Sequence, residues 1–215
     1  RHFIVSWNMA QKDHLAFNKT FFPEVIPLEG SGTKGLAQLM AGGPIYPQST
    51  IMLTYFKLFT VSRQKLYITN PYFIPNDSIL NALKQAALSG TDVRLLLPEK
   101  SDSAIVGAAS RFYFKELLDS GVRIFLYRKG FVHAKTVVAD QKISIVGTAN
   151  MDIRSFDLNF ELMSVIYSTE FGKQMERMFF DDLKESIEMT REDFIAQSSG
   201  KRLIFSVARL ISSLL

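Results

Sequence analysis

The chain has 215 residues, 25 basic against 21 acidic side chains for a net charge of +4, and 47% hydrophobic, 12% aromatic and 21% charged residues. That length fits one ordinary domain with additional segments, and the balance excludes disorder and low complexity. The absence of cysteine excludes a disulfide scaffold and any thiolate metal site.

The charge suits an anionic partner, either a phospholipid surface or a nucleic acid, without choosing between them. No apolar run approaches the roughly 18 residues that a spanning helix needs. Arg1-His2-Phe3 leads into mixed polar sequence with no apolar signal region. The first residue is not Met, so the chain reads as a piece of something longer.

Residues 1–28 are aromatic-rich, contain Trp7 and end in Phe22-Pro23 and Pro27; Gly30-Ser31-Gly32-Thr33-Lys34-Gly35 follows as a connector. That loop lacks the Lys-Ser/Thr ending of a phosphate-binding P-loop. Strand and helix patterns then alternate. Leu36–Met40 reads as a strand, Gln48–Gln64 as a helix and Lys65–Asn70 as a strand stopped by Pro71. Asn76 or Asp77 caps a helix closed by Gly90, Asp92–Leu97 is a strand, and Asp102 opens a helix closed by Gly121. Val122–Tyr127 is another strand. This rhythm predicts an α/β layer fold with a partly parallel sheet.

The rhythm then changes. Phe131–Ala139, Ile143–Val146 and Asn159–Tyr167 read as closely connected strands, and Thr169–Ile187 returns to helix. In the final helix Leu203, Ile204, Val207, Leu210, Ile211, Leu214 and Leu215 form an apolar stripe, with Arg202, Ser206, Arg209 and Ser213 opposite. That stripe fits packing on the rest of the protein or an interfacial membrane helix with cationic edges.

The chemistry concentrates at Phe131-Val132-His133-Ala134-Lys135-Thr136-Val137-Val138-Ala139-Asp140 and Gly147-Thr148-Ala149-Asn150. On a strand, His133 and Lys135 project from one face. A histidine beside a lysine suits an anion held over that face, with the ammonium on phosphate oxygens and the imidazole reaching phosphorus. His-x-Lys alone is a weak signal. The extended pattern His133-x-Lys135-x4-Asp140-x6-Gly147-Thr148-x-Asn150 fixes six positions over 18 residues.

That pattern resembles the signature of the phospholipase D superfamily, with Thr148 in place of the commoner Ser and the hydroxyl retained. Within it, Asn70-Pro71-Tyr72-Phe73-Ile74-Pro75, Asp92–Pro98, Val146–Phe156, Leu158-Asn159-Phe160-Glu161 and Arg209–Leu215 resemble bacterial cardiolipin synthases. The similarity covers essentially the whole chain, and Trp7 and Asn8 resemble the end of the preceding catalytic half. Members of that family carry two such motifs in one polypeptide, preceded by membrane-spanning segments.

The resemblance implies a phospholipase D-type layered fold with a central mixed β-sheet flanked by helices. Its parts would be residues 1–28 as the remnant of a preceding half, 29–190 as the domain carrying one motif, and 191–215 as a terminal amphipathic helix. It also implies phosphatidyl transfer between alcohols, in which two phosphatidylglycerol molecules give cardiolipin and glycerol. A neutral histidine can attack phosphorus to form a phosphohistidine, while a second histidine protonates the leaving glycerol and then deprotonates the acceptor.

His133 is nucleophile or general acid/base. Lys135 and Asn150 bind phosphate, the Thr148 hydroxyl assists, and Glu161, 28 residues beyond His133, accepts its other ring N–H. Gly147 belongs to the motif's frame. Asp140 has changed parity and reads as a turn or ion-pair residue. Tyr72, beside Pro71 at a strand end, lines the site or packs in the core; Arg154 meets a headgroup or forms a surface ion pair. His2 and His14 are ordinary surface groups.

No cofactor or metal is expected. The expected partners are an anionic phosphatidylglycerol membrane and either the missing amino-terminal half or a second copy; nucleic acid is not expected. The location implied is the bacterial cell membrane, with the catalytic part facing the cytoplasm. The rival readings are a superfamily nuclease or phospholipase completed by homodimerisation, and a catalytically silent half that binds membrane or a partner.

Overall fold

Leu66 and Ile68 alternate with Tyr67 along one strand, and Leu95 and Leu97 alternate with Leu96 along its neighbour, so both faces of the sheet centre are apolar and both must be covered. The structure, a computed structural model, describes residues 2–21 and 35–211. The Phe22-Pro23 and Pro27 positions, residues 30–34 of the connector and residues 212–215 of the terminal stripe lie outside the described residues.

The chain divides into two compact units, residues 1–34 and 35–215. In the first, helix α1 (His2–Ala10) is followed by a return segment. The Asn8 side chain donates to Leu15 O at 2.9 Å and accepts from Leu15 N at 2.7 Å, and the Trp7 indole N–H donates to Asp13 O at 3.1 Å. A short 3₁₀ turn covers Lys19–Phe21.

The second unit contains β1 (Leu36–Gly42), α2 (Thr50–Val61), β2 (Lys65–Thr69), β3 (Phe73–Ile74), α3 (Asp77–Leu88) and β4 (Asp92–Pro98). Next come α4 (Ala104–Phe112), α5 (Phe114–Asp119), β5 (Arg123–Tyr127), β6 (Thr136–Ala139), β7 (Ile143–Gly147) and β8 (Met151–Asp152). A π-helical turn (Arg154–Leu158), β9 (Glu161–Tyr167), α6 (Thr169–Lys184), β10 (Ser186–Met189), α7 (Arg191–Ile195) and α8 (Ser199–Ile211) complete it. The eight-stranded sheet runs β1-β9-β7-β6-β2-β4-β5-β10; β2, β4 and β5 are parallel and the other pairs antiparallel. It is the expected mixed sheet flanked by helices. The larger core lies between one face and α2, α3, α4 and α5, while Tyr67 and Leu96 on the other face meet Phe179 of α6.

Local chemistry sets most boundaries. Asn76 accepts from Ile79 N at 3.0 Å and caps α3. Gly90 (φ +91°) and Gly121 (φ +89°) end the helices before β4 and β5 in the left-handed region where a side chain is disfavoured.

Three expectations are corrected. The helix after residue 102 is capped by Ser103, which accepts from Val106 N at 3.4 Å, and it breaks at Tyr113 into α4 and α5. The helix expected to reach Ile187 stops at Lys184, because Ser186–Met189 pairs antiparallel with β5. The expected strand 131–139 is a strand only from Thr136: β2, its neighbour, ends at Thr69, which faces Thr136, and Pro71 cannot extend the ladder.

The three-residue β6–β7 connection, 140–142, is built on a β-turn with Asp140 at φ +52° and Gln141 at φ +57°, closed by Lys142 N donating to Ala139 O at 2.9 Å. The Asp140 carboxylate accepts backbone N–H bonds from Arg63 (3.0 Å), Gln64 (2.8 Å) and Lys65 (2.9 Å). It therefore ties the hairpin tip to the start of β2. Burial pushes its carboxyl up, but the three amides outweigh burial and hold it below its ordinary value.

Asp140→Ala is expected to cost about 2 kcal/mol. Because the folded carboxyl is depressed, that contribution is complete above the unfolded value and is lost as pH falls through the folded one. Urea midpoints should therefore separate wild type from variant at neutral pH and converge in acid; a constant gap at all pH values would contradict this.

Candidate active site

The antiparallel β6 places its entry beside the carboxyl end of β2, and β7 and β9 return to the same end through Gly147 and Glu161. Residues far apart in sequence are thereby gathered where the parallel strands end, the usual place for a ligand in an open α/β sheet.

Segment 131–135 is a loop, with His133 exposed and Lys135 buried. The two do not share a strand face, and they are coupled differently: Lys135 Nζ donates to the His133 carbonyl oxygen at 2.7 Å. Two further ammonium donors remain for a ligand. Burial holds the Lys135 amine below its ordinary value, opposed by the charges of Glu161 and Asp152.

The His133 ring stacks on Phe131 at 5.6 Å and meets the edge of Tyr72 at 6.3 Å. Among the described residues it makes no hydrogen bond, so aromatic packing sets its attitude. The Glu161 carboxylate, buried beside Lys135, accepts instead from the Thr148 hydroxyl. Thr148 Oγ1 also accepts from Leu162 N at 3.0 Å. Glu161 thus holds the 148–150 loop to β9 in this structure.

Gly147 sits where β7 and β9 approach most closely: an added Cβ would lie 2.6 Å from Met163 Cβ and 2.7 Å from Leu162 O. Its N–H donates to Lys135 O at 3.2 Å, joining the two parts of the motif. Asn150 N donates to Ser155 Oγ at 3.1 Å, and Ser155 N donates to Asp152 Oδ1 at 2.7 Å.

A cavity of about 710 Å³ opens beside these groups, lined among others by Tyr72, Asn150, Asp152, Arg154, Leu158 and Arg209. His133 borders Tyr72 and does not line the cavity itself. Tyr72 donates through its hydroxyl to Asp102 at 2.5 Å; burial and that bond push its phenol up to about 12.

Two positioning groups escaped the sequence reading. Asn70, fully buried, accepts from Tyr72 N at 3.3 Å and from Met151 N at 3.2 Å, pinning the two site loops together. Tyr55, also fully buried, donates to Ala149 O at 3.4 Å; burial and then the Glu161 charge push its phenol far above its ordinary value. Asn70 could have been suspected from its place before Pro71 at a strand end; nothing in the sequence distinguishes Tyr55 from a core aromatic.

This mixed sheet flanked by helices is the fold of phospholipase D proteins. The phospholipase D family member Nuc from Salmonella typhimurium superimposes with a TM-score of 0.63 at 16% identity, over 73% of this chain and 99% of that one. Phosphatidylserine synthase from Haemophilus influenzae does so at 0.65 and 14%, over 84% and 46%. At such identities the likeness concerns the fold alone.

Within that class, the family described as "Cardiolipin synthase, PLD-like domain" matches residues 55–183, and the chain belongs to it. Cardiolipin synthase 2 of Bacillus cereus is 48% identical over 181 residues, covering 84% of this chain and 35% of that protein. Cardiolipin synthase of Geobacillus sp. is 42% identical over 213 residues, covering 99% and 42%. The Clostridium perfringens enzyme is 42% identical over 216 residues, covering 99% and 45%. The chain thus spans 35–45% of the length of these curated relatives.

Proposed function

We propose that this chain supplies one catalytic half of a cardiolipin synthase, transferring a phosphatidyl group from one phosphatidylglycerol to the hydroxyl of another. The observation that carries this reading is the convergence of loop 131–135, loop 148–150 and the start of β9 on one end of the sheet, in a chain of the cardiolipin synthase family.

The steps balance as follows. In one assignment of roles a ring nitrogen of the exposed His133 attacks phosphorus; the P–O bond to glycerol breaks, and a second histidine from the other half or another copy protonates the leaving oxygen. That second histidine then removes the proton of the incoming hydroxyl, whose oxygen displaces His133 from phosphorus. With the roles exchanged, His133 moves the protons. In either case the Lys135 ammonium and the Asn150 amide offset charge on the non-bridging oxygens, and Thr148 keeps loop 148–150 in place through Glu161. Arg154 and Arg209 at the cavity suit a second phosphate group. The natural setting is the cytoplasmic side of a bacterial cell membrane.

The test is the lipid product. Phosphatidylglycerol vesicles given to the whole polypeptide should yield cardiolipin, whereas phosphatidic acid alone would favour a hydrolase with water as acceptor. A pH dependence follows from Lys135. Since burial lowers its folded pKa, the ammonium charge that faces the phosphate oxygens is lost at a lower pH than for an ordinary lysine. The alkaline limb of kcat/KM should lie below 10.5 and should be absent from the residual activity of Lys135→Met. An alkaline limb unchanged by that substitution would remove Lys135 from the reaction.

A further inference from the structure

Helix α8 is apolar on two sides, and among the described residues the side with Phe205 and Ala208 is buried while the other is exposed. Phe205 and Ala208 are buried where α8 packs on α4, and the Phe205 ring lies 6.3 Å from Phe194. At 3.6 residues per turn Leu203 lies about 160° around the helix from Phe205. The outward side carries Leu203, Ile204, Val207 and Leu210, which are 66%, 60%, 51% and 67% exposed. The sequence stripe is therefore not the packing face. The helix has no acidic residue, and its three cations, Lys201, Arg202 and Arg209, are all exposed.

We propose that α8 seats the protein on an anionic phospholipid bilayer, with Leu203, Ile204, Val207 and Leu210 in the boundary between headgroups and acyl chains and Lys201 and Arg202 on lipid phosphates. Contiguous aliphatic exposure of this kind marks an interaction surface. The commitment to a bilayer, not a protein partner, comes from two observations.

The first is charge: α8 carries three cations and no acid, with Lys201 and Arg202 at the end of the helix where the apolar side begins at Leu203, and that composition matches an anionic lipid surface. The second is continuity with the site. Leu210 and Arg209 line the 710 Å³ cavity together with Ile153 and Leu158, which are themselves exposed. A surface that receives α8 therefore also meets the cavity mouth, and a lipid could pass into it without crossing water. The docking stands on α8 alone; only this route of entry rests on the function proposed above.

Vesicle flotation tests the docking without any turnover. The protein should float with vesicles of phosphatidylglycerol and phosphatidylcholine and far less with phosphatidylcholine alone. Leu203→Glu/Val207→Glu, which changes two exposed side chains away from the cavity, should weaken binding roughly a hundredfold. Its melting temperature should be unchanged. Lys201→Gln/Arg202→Gln should weaken it by about fivefold per charge and flatten its salt dependence.

Unchanged flotation of the Leu203/Val207 variant would overturn the proposal. So would equal binding to charged and neutral vesicles, or conversion of a dimer to a monomer by that variant, since a second copy would then cover the stripe. If the Leu203/Val207 variant fails to fold, the cation variant alone decides: unchanged binding to charged vesicles overturns the docking. Loss of cardiolipin formation with flotation intact would count against the catalytic reading and leave the docking standing.

Discussion

Under the proposed reaction, His133→Ala in the whole polypeptide should lower cardiolipin formation by about four orders of magnitude or more, because the site would hold no substitute for a group that attacks phosphorus or moves its protons. Its surroundings make the experiment clean. The ring is exposed and hydrogen-bonded to nothing among the described residues, and its packing is limited to Phe131 and Tyr72. The backbone oxygen that receives the Lys135 ammonium is retained in alanine. The variant should therefore melt within a degree or two of wild type, so that lost turnover reads as lost chemistry. Activity within tenfold of wild type, measured by lipid mass spectrometry, would show that another residue does this work.

Gly172→Ala should be the most destabilising of the conservative substitutions. Gly172 lies in the first turns of α6, where the helix rests on the β6–β7 turn, and an added Cβ would lie 2.2 Å from Gln141 O and 2.6 Å from Gln141 C. Both are backbone atoms, in a turn held at positive φ by Asp140 and Gln141, so neither can swing aside. The same contact is fixed from the other side: Glu176 on α6, nearly buried, accepts from Gln141 and from Lys65 Nζ at 2.8 Å.

To admit the methyl group α6 must lift, loosening Phe179 from Tyr67 and Leu96. Overpacking of this kind costs about 3 kcal/mol, or a fall of about 6–12 °C in melting temperature for a chain of this size. A shift of less than 2 °C by calorimetry would mean that α6 is not seated as described.

The parts legible in sequence are those fixed by local chemistry. The Asn76 cap, the left-handed glycines at 90 and 121, and the alternating apolar residues of β2 and β4 each carry their own signal, and so did the parallel centre of the sheet. The spaced motif pointed to loops 131–135 and 148–150, which the sheet gathers at one end, while its Asp140 lies at the far end of β6. The misreadings share a cause: pairing or packing between distant segments decided them.

Residues 131–135 have strand composition but lack a full partner beyond Thr69. Ser186–Met189 continues a helical pattern, yet its backbone pairs with β5. The family resemblance assigns Glu161 to the histidine, but in this structure its carboxylate meets Thr148. Asn70 and Tyr55 act from beneath the site through buried hydrogen bonds, and residues of that kind look like ordinary core or turn residues until the fold assembles them. The α8 stripe was visible, but its direction was not. Only the packing of Phe205 and Ala208 on α4 turns it outward.

Transfer of phosphatidyl groups to an alcohol at this site is tested most directly by giving the whole polypeptide vesicles that mix two phosphatidylglycerols of different acyl mass. Hybrid cardiolipin carrying one phosphatidyl group of each mass is expected, with one glycerol released per cardiolipin formed. Glycerol and phosphatidic acid without any hybrid cardiolipin would contradict it.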